Sequence, residues 1–311
     1  MRHPKYLFLI FTATAGLIIG KPAEAQNNGL QETGLTQIVI SPLFEYPVPP
    51  DNLEGLSERC NWLMDHFWDA MDFKTKNTVD QSALNHAFSV YANAMMHADV
   101  TKADESVDRL ISKIAKNPVL SIQFAKAAEE TVYGPRAEFW IDEVFIKFID
   151  NVLANKSLGK DRKLRYETIR KKLASSLQGS VPSEFDYTTP EGKTAHYHPN
   201  GIITVIQFGT PDCPECRLAK LKMDTDITFS SMVEKGKINV LYINPSPAQG
   251  WQEEMKGYPA NWHVGASEGV GDLYDLRIAP AIYVIDREGK IAVKNVNIET
   301  AMRIAIAAAT E

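Results

Sequence analysis

The chain has 311 residues, 44% of them hydrophobic, with 33 Lys and Arg against 39 Asp and Glu for a formal net charge of −6. That acidic balance excludes the broad electrostatic attraction that draws a protein to nucleic acid or an anionic membrane surface. The length favours two compact domains over one, and three cysteines are too few for a disulfide scaffold and leave one without a partner.

The first residues read as an export signal. Arg2, His3 and Lys5 form a basic segment, an apolar run follows from Tyr6 to Gly20, and Ala23-Glu24-Ala25 supplies a small-x-small cleavage site. The apolar run is short for a bilayer span, so residues 1–25 are expected to be removed after Ala25, leaving no transmembrane anchor. Cleavage removes Arg2, Lys5 and Lys21 with Glu24, taking the balance from 33 and 39 to 30 and 38, a net charge of −8. Residues 26–52 read as a loose leader that ends in the helix-incompatible Tyr46-Pro-Val-Pro-Pro50.

From residue 53 to 178 the apolar residues recur at helical spacing and glycine is scarce. Leu56, Cys60, Leu63, Met64, Phe67, Trp68 and Met71 share one face of a first helix. Further helices are predicted over 80–98, 104–116, 118–132, 138–154 and 160–177, punctuated by Asn117-Pro118 and Gly134-Pro135. This half is expected to be an all-helical domain.

Gly179-Ser-Val-Pro182 closes the helical region, and the pattern changes to strands. Residues 185–189 and 194–198 form a hairpin across Pro190-Glu-Gly-Lys193, and Ile202–Phe208 is short, apolar and β-branched, as a buried central strand should be. A helix to about Glu234 and a second buried strand, 237–243, follow. A Pro- and Gly-rich connection passes Trp251, Trp262 and His263, and Leu273–Leu276 ends a short helix. Strands at 281–286 and 290–294 join across Arg287-Glu-Gly289, and a last helix covers 299–309. The order β-α-β, then β-β-α, is that of the thioredoxin fold. The expected architecture is therefore α plus α/β: a helical domain, 53–178, followed by a thioredoxin-like domain, 179–311, with a mixed sheet flanked by helices.

Between the central strand and its helix lies Gly-Thr-Pro-Asp-Cys213-Pro-Glu-Cys216. Cys213 stands at the helix N-cap, with Pro214 at the first helical position, where its missing N–H costs nothing. Unpaired N–H groups and the helix dipole favour a thiolate there, while Asp212 and Glu215 oppose it, so a moderate depression of the Cys213 pKa is expected. Cys216, one turn on, faces the same way and lies further from solvent. This asymmetry suits an attacking Cys213 and a resolving Cys216. Two other chemistries remain open to a CxxC pair: half of a metal site, with His196 and His198 as further ligands by type, and a structural clasp. Arg277-Ile-Ala-Pro280 stands immediately before a strand beside the cysteines. There a cis Ala279–Pro280 bond would free the Ala279 backbone to pair with an extended substrate.

The region from Gly179 onward resembles the thioredoxin-like proteins of the TlpA/ResA class in GSVPSEFDYTTPEGK, VIQFGTPDCPEC and LYDLRIAPAIYVIDREGKI. The preceding region resembles the helical domain of unknown function DUF5106, in SERCNWLMDHFWDAMDF and YGPRAEFWIDEVF. The resemblance implies a periplasmic thiol–disulfide oxidoreductase, more often a reductant than an oxidant. Its electron carrier would be the Cys213–Cys216 pair, with no separate cofactor and no metal. Pro280 would be the cis-proline, and Ala279, Pro280 and Pro214 would border the substrate. The implied partners are protein thiols and disulfides and an envelope electron donor. The chain departs from thioredoxin itself at Gln207, where an aspartate is usual, and at Asp212, where a tryptophan is. A non-catalytic interaction module on the same platform is the alternative.

Other residues admit plainer readings. Cys60 lies on an apolar helix face and reads as a buried, inert thiol. Trp62, Trp68 and Trp140 read as core or domain-contact residues. Lys160–Lys172 reads as a solvated basic helix face.

Overall fold

The computed structural model describes residues 41–310. The expected signal segment, residues 1–25, and residues 26–40 of the expected leader lie outside the described residues.

The helical half comprises α1 (Leu56–His66), α2 (Gln81–His97), α3 (Val100–Ile114), α4 (Pro118–Ala128), α5 (Asp142–Ala154) and α6 (Lys160–Ala174). Capping sets two of its starts. The Asp80 carboxylate accepts from the Ala83 N–H at 2.7 Å, and the Asn117 side chain accepts from the N–H groups of Val119 and Leu120 just before Pro118. The first helix is shorter than its apolar pattern predicts: it ends at His66, and Phe67 and Trp68 enter the core from a turn and Met71 from the residue just after it. At the other end of the half, α4 runs into a π-helical turn, Glu129–Tyr133. Residues 134–141 are irregular, so α5 begins at Asp142 rather than 138.

Aromatic rings fill the helical core, including Trp68 against Phe124 at 5.2 Å and Phe88 against Phe148 at 5.3 Å. Residues 41–50 are without helix, as Pro47, Pro49 and Pro50 require, but they are not loose. Phe44 and Tyr46 lie against Phe67 at ring distances of 5.9 and 5.4 Å, which pins this segment to the core.

The second half is built on a seven-stranded sheet in the order β2-β1-β5-β4-β3-β6-β7. Its strands are β1 (Phe185–Thr188), β2 (Thr194–Tyr197), β3 (Ile203–Phe208), β4 (Ile238–Asn244), β5 (His263–Ala266), β6 (Ala281–Ile285) and β7 (Ile291–Lys294). All six residues of β3 are buried. It pairs parallel to β4 and antiparallel to β6, which makes it an interior strand of the sheet, next to the middle strand β4. Each fully buried Val or Ile there contributes about 1.5–3 kcal/mol relative to exposure.

The helix predicted to reach Glu234 is two helices, α7 (Pro214–Thr225) and α8 (Ile227–Glu234). Asp226 ends the first and caps the second, accepting from the Phe229 N–H at 2.8 Å. The connection after β4 is more ordered than expected. It holds α9 (Trp251–Met255) and β5, which pairs parallel to β4 and bridges it to β1. A 3₁₀ turn, Glu268–Asp272, precedes Leu273, and α10 (Ile298–Thr310) closes the chain. One sheet face packs on residues of α7, α8 and α10. The other carries Phe185, Tyr187, Tyr197, Phe208, Tyr274 and Tyr283.

The halves meet in several places. Gly179, with a left-handed φ of 81°, turns the chain after α6, and its N–H donates to the Ile291 carbonyl at 2.8 Å. A buried cluster of Asp142, Asp275, Arg277 and Lys294 joins α5 to the segment before β6.

Candidate functional site

Cys213 and Cys216 form a disulfide at the carboxyl end of β3, with Cα atoms 5.2 Å apart. Cys213 is the N-cap of α7, Pro214 occupies the first turn, and the Cys216 N–H donates to the Cys213 sulfur at 3.1 Å. A sulfur held by a helix-terminal N–H is the arrangement that favours a thiolate once the bond is reduced.

The two sulfurs differ in access. Cys213 is half-buried, whereas Cys216 is buried at 1% exposure. Gly209 explains how Cys216 fits: a β-carbon on Gly209 would stand 2.6 Å from the Cys216 sulfur. The backbone around Gly209 is held from β4, its N–H donating to the Ile243 carbonyl at 3.1 Å and its carbonyl accepting from the Tyr242 hydroxyl at 2.7 Å.

Beneath the pair lies Gln207, with no solvent exposure. Its amide nitrogen donates to the Cys216 carbonyl at 2.9 Å, and its Oε1 is buried without a protein partner. A neutral amide thus lies beneath the buried sulfur. Acidic groups lie on the solvent side instead. The Glu215 carboxylate is 3.9 Å from the Cys213 sulfur. A hydrogen bond from the Thr210 hydroxyl holds the Asp212 carboxyl below the usual carboxylate range.

The Ala279–Pro280 bond is cis. Ala281 pairs with Phe208 in the β3–β6 ladder, so the register sets Pro280 beside Gly209 and hence beside the buried sulfur. Ala279 is exposed and Pro280 half-buried. The structure therefore brings Cys213, Cys216, Pro214 and Pro280 to one end of the sheet.

The other candidates go elsewhere. His196 bonds Asp186 at 2.7 Å and Glu184 at 3.2 Å on the β1–β2 hairpin and stacks on His198. Among the described residues, no group of three or more His, Cys, Asp or Glu side chains is placed to hold a metal ion. Trp251 and Trp262 are buried anchors of the β4–β5 connection, and His263 is exposed. Cys60 is buried at 5% exposure, and burial pushes its thiol pKa up. Trp140 is a contact residue between the halves, its ring over the Arg277 guanidinium. Two features of the site were not singled out from sequence. Gly209 could have been, as a glycine ending a buried strand beside the cysteines; the Gln207 contact to Cys216 could not.

The fold and the disulfide-bearing strand–helix junction define a thioredoxin-like domain behind a helical one. The chain matches the family described as a domain of unknown function (DUF5106) over residues 21–176, and it belongs to that family. No curated protein matches it. Among solved structures it is similar to a thioredoxin-like protein from Bacteroides caccae, with 19% identity and a TM-score of 0.71 over 85% of this chain and 98% of that one. A conserved protein of unknown function from Bacteroides fragilis matches at 27% identity and a TM-score of 0.39, over 42% of this chain and 98% of that one. The thioredoxin domain of a thiol-disulfide oxidoreductase from Bacteroides vulgatus matches at 19% identity and a TM-score of 0.37, over 42% of this chain and 96% of that one.

Proposed function

We propose that the protein is an exported, periplasmic thiol–disulfide oxidoreductase that reduces disulfides of protein partners through Cys213 and Cys216. The observation that carries this reading is the unequal access of the two sulfurs: Cys213 half-exposed at a helix N-terminus, Cys216 buried against Gly209.

In the dithiol state, the Cys213 thiolate attacks one sulfur of a substrate disulfide. A Cys213–substrate bond forms, the substrate S–S bond breaks, and the released thiolate takes up a proton. Cys216, deprotonated, then attacks the Cys213 sulfur, closing the protein disulfide and releasing the second substrate thiol. The substrate gains two electrons and the protein loses two. An envelope dithiol donor returns the pair to the reduced state, so the cysteines themselves are the electron carrier. The exposed Ala279 backbone and the ring of Pro280 border the peptide beside the attacked sulfur, with Pro214 on the other side.

The test is trapping. Cys213→Ser abolishes exchange, and Cys216→Ser accumulates mixed disulfides with partners. A Cys213 thiol that alkylates with the pH profile of an ordinary cysteine, in a pair that cannot be cycled, overturns the reading and leaves a non-catalytic platform.

A further inference from the structure

The segment before the cis peptide is fastened to the helical half by the Ser175 hydroxyl, which donates to the Leu273 carbonyl at 3.1 Å, and, next to the cis peptide, by the side chain of Arg277. The Arg277 side chain is 5% exposed, and every edge of its guanidinium is engaged. Its Nε donates to both Asp275 carboxylate oxygens, at 3.0 and 2.9 Å. Its Nη2 donates to Asp142 on α5 at 2.7 Å, and its Nη1 donates to the Tyr133 carbonyl. The rings of Tyr133 and Trp140 lie over it at 4.1 and 4.7 Å. A planar fork saturated in this way has little rotational freedom.

Only Ile278 separates Arg277 from Ala279. Downstream, the chain is held by the sheet, where Ala281 pairs with Phe208. Upstream, the Tyr283 hydroxyl donates to the Asp275 carbonyl and accepts from the Asp275 N–H, both at 3.0 Å. Residues 278–280 thus span two anchors, Asp275 with Arg277 on one side and Ala281 on the other, and Tyr133, Trp140 and Asp142 of the helical half complete the first of them.

We infer that Asp142 is a positioning residue: through Arg277, the helical half sets the Ala279–Pro280 segment for docking of an extended polypeptide substrate beside Cys213. This rests on the redox reading above for its substrate, but not for the coupling between the halves. The proposal gives the helical domain a part in substrate selection. A peptide must lie along Ala279 and Pro280, whereas a small disulfide need only reach Cys213.

The test uses the full chain, reduced with dithiothreitol and desalted, in wild-type, Asp142→Asn and Trp140→Ala forms. Asp142→Asn leaves Arg277 and Lys294 with Asp275 as a counter-charge. Trp140→Ala removes only a partly exposed ring and keeps the fold if the first variant does not. Two probes are compared: hydroxyethyl disulfide and a ten-residue peptide whose one cysteine is capped with glutathione. Amide hydrogen exchange is read over residues 276–282 and over β3 and β4.

For the peptide we expect KM to rise about tenfold in Asp142→Asn and by less in Trp140→Ala. Turnover of hydroxyethyl disulfide and the reduction potential should stay within about twofold and unchanged, respectively. Exchange should quicken over 276–282 and not in β3 or β4. Unchanged peptide KM and unchanged segment exchange in the folded variants overturn the proposal, as does an equal loss with both probes. If the wild type reduces neither probe, the redox reading falls. Segment exchange then decides the positioning claim alone: faster exchange sustains it, and no change ends it.

Discussion

Gln207 donates its side-chain amide to the carbonyl of Cys216 from a position with no solvent exposure, tying β3 to the first turn of the cysteine helix. The site consequently has a neutral floor. Gln207→Glu would place a carboxyl in the same enclosure, where burial disfavours the charged form and raises its pKa above the unfolded value of about 4.3. An acid with a raised folded pKa carries no penalty below the unfolded value and loses stability as pH rises towards the folded one. The variant should therefore match wild type in melting temperature near pH 4 and fall progressively below it towards pH 7. Each tenfold gain in the proton affinity of that carboxyl on folding costs about 1.4 kcal/mol once the pH exceeds its folded pKa. Equal melting-temperature gaps at both pH values would show that the carboxyl reaches water.

Gly209 is expected to tolerate no side chain. A β-carbon there meets the Cys216 sulfur at 2.6 Å, and the backbone is pinned to Tyr242 and Ile243, so neither side yields freely. Gly209→Ala should destabilise the oxidised protein by about 1–3 kcal/mol, the usual cost of overpacking. It should also shift the thiol–disulfide equilibrium measured in glutathione buffers, because the intruding methyl displaces one sulfur of the pair. A variant with wild-type stability in urea and an unchanged equilibrium constant would contradict the packing described for Cys216.

Acid should loosen the joint between the halves. Burial alone would raise the Asp275 carboxyl, and the charges of Lys294 and Arg277 more than reverse this, leaving its pKa below the usual range. A depressed folded pKa gives a stabilising contribution that is complete above the unfolded value of about 3.9 and is lost as pH falls through the folded one. Urea midpoints should hold above pH 4 and decline below it, and Asp275→Asn should flatten that part of the decline. At pH 7 the same variant should cost about 3–5 kcal/mol, because Arg277 and Lys294 lose a buried counter-charge.

His196 should titrate above the ordinary histidine range, since hydrogen bonds to Asp186 and then Glu184 favour the protonated ring. Its raised folded pKa means that any stabilisation is complete below about 6.5 and disappears as pH rises through the folded value. Ring-proton NMR would follow this directly, and Asp186→Asn should bring the midpoint down. A midpoint at or below that of a free histidine would show that the hairpin contacts do not persist.

The parts of the molecule legible in the sequence are those whose signal is local. Ile203–Phe208 is a mostly apolar, β-branched run, and the cysteines just after it fall where a proline starts a helix, so both strand and site follow from adjacent residues. Local signals also mislead. Phe67, Trp68 and Met71 continue the helical period of α1 yet sit outside any helix, because burial can be met without helix once the chain bends around the core. His263–Ala266 is a strand that no pattern announces. It is four residues long, half of it small, and its pairing comes from the flanking β4 and β1. The contact between Arg277 and Asp142 spans 135 positions and leaves no periodic trace. Asp226, by contrast, is an ordinary N-cap signal, and reading it would have divided α7 from α8.

The outer strand β7 is not left open. After Gly179 donates to the Ile291 carbonyl, the Ile291 N–H donates to the Ser180 carbonyl at 2.9 Å, so the chain leaving α6 occupies hydrogen-bonding groups that a strand from another molecule could otherwise use. The segment that joins the halves therefore also covers part of this edge of the sheet. A fragment begun at Val181, chosen to isolate the sheet half, would shed this cover together with the Asp142 counter-charge. It should aggregate at concentrations where the full chain stays monodisperse in light scattering, and starting the fragment at Gly179 should recover part of the difference.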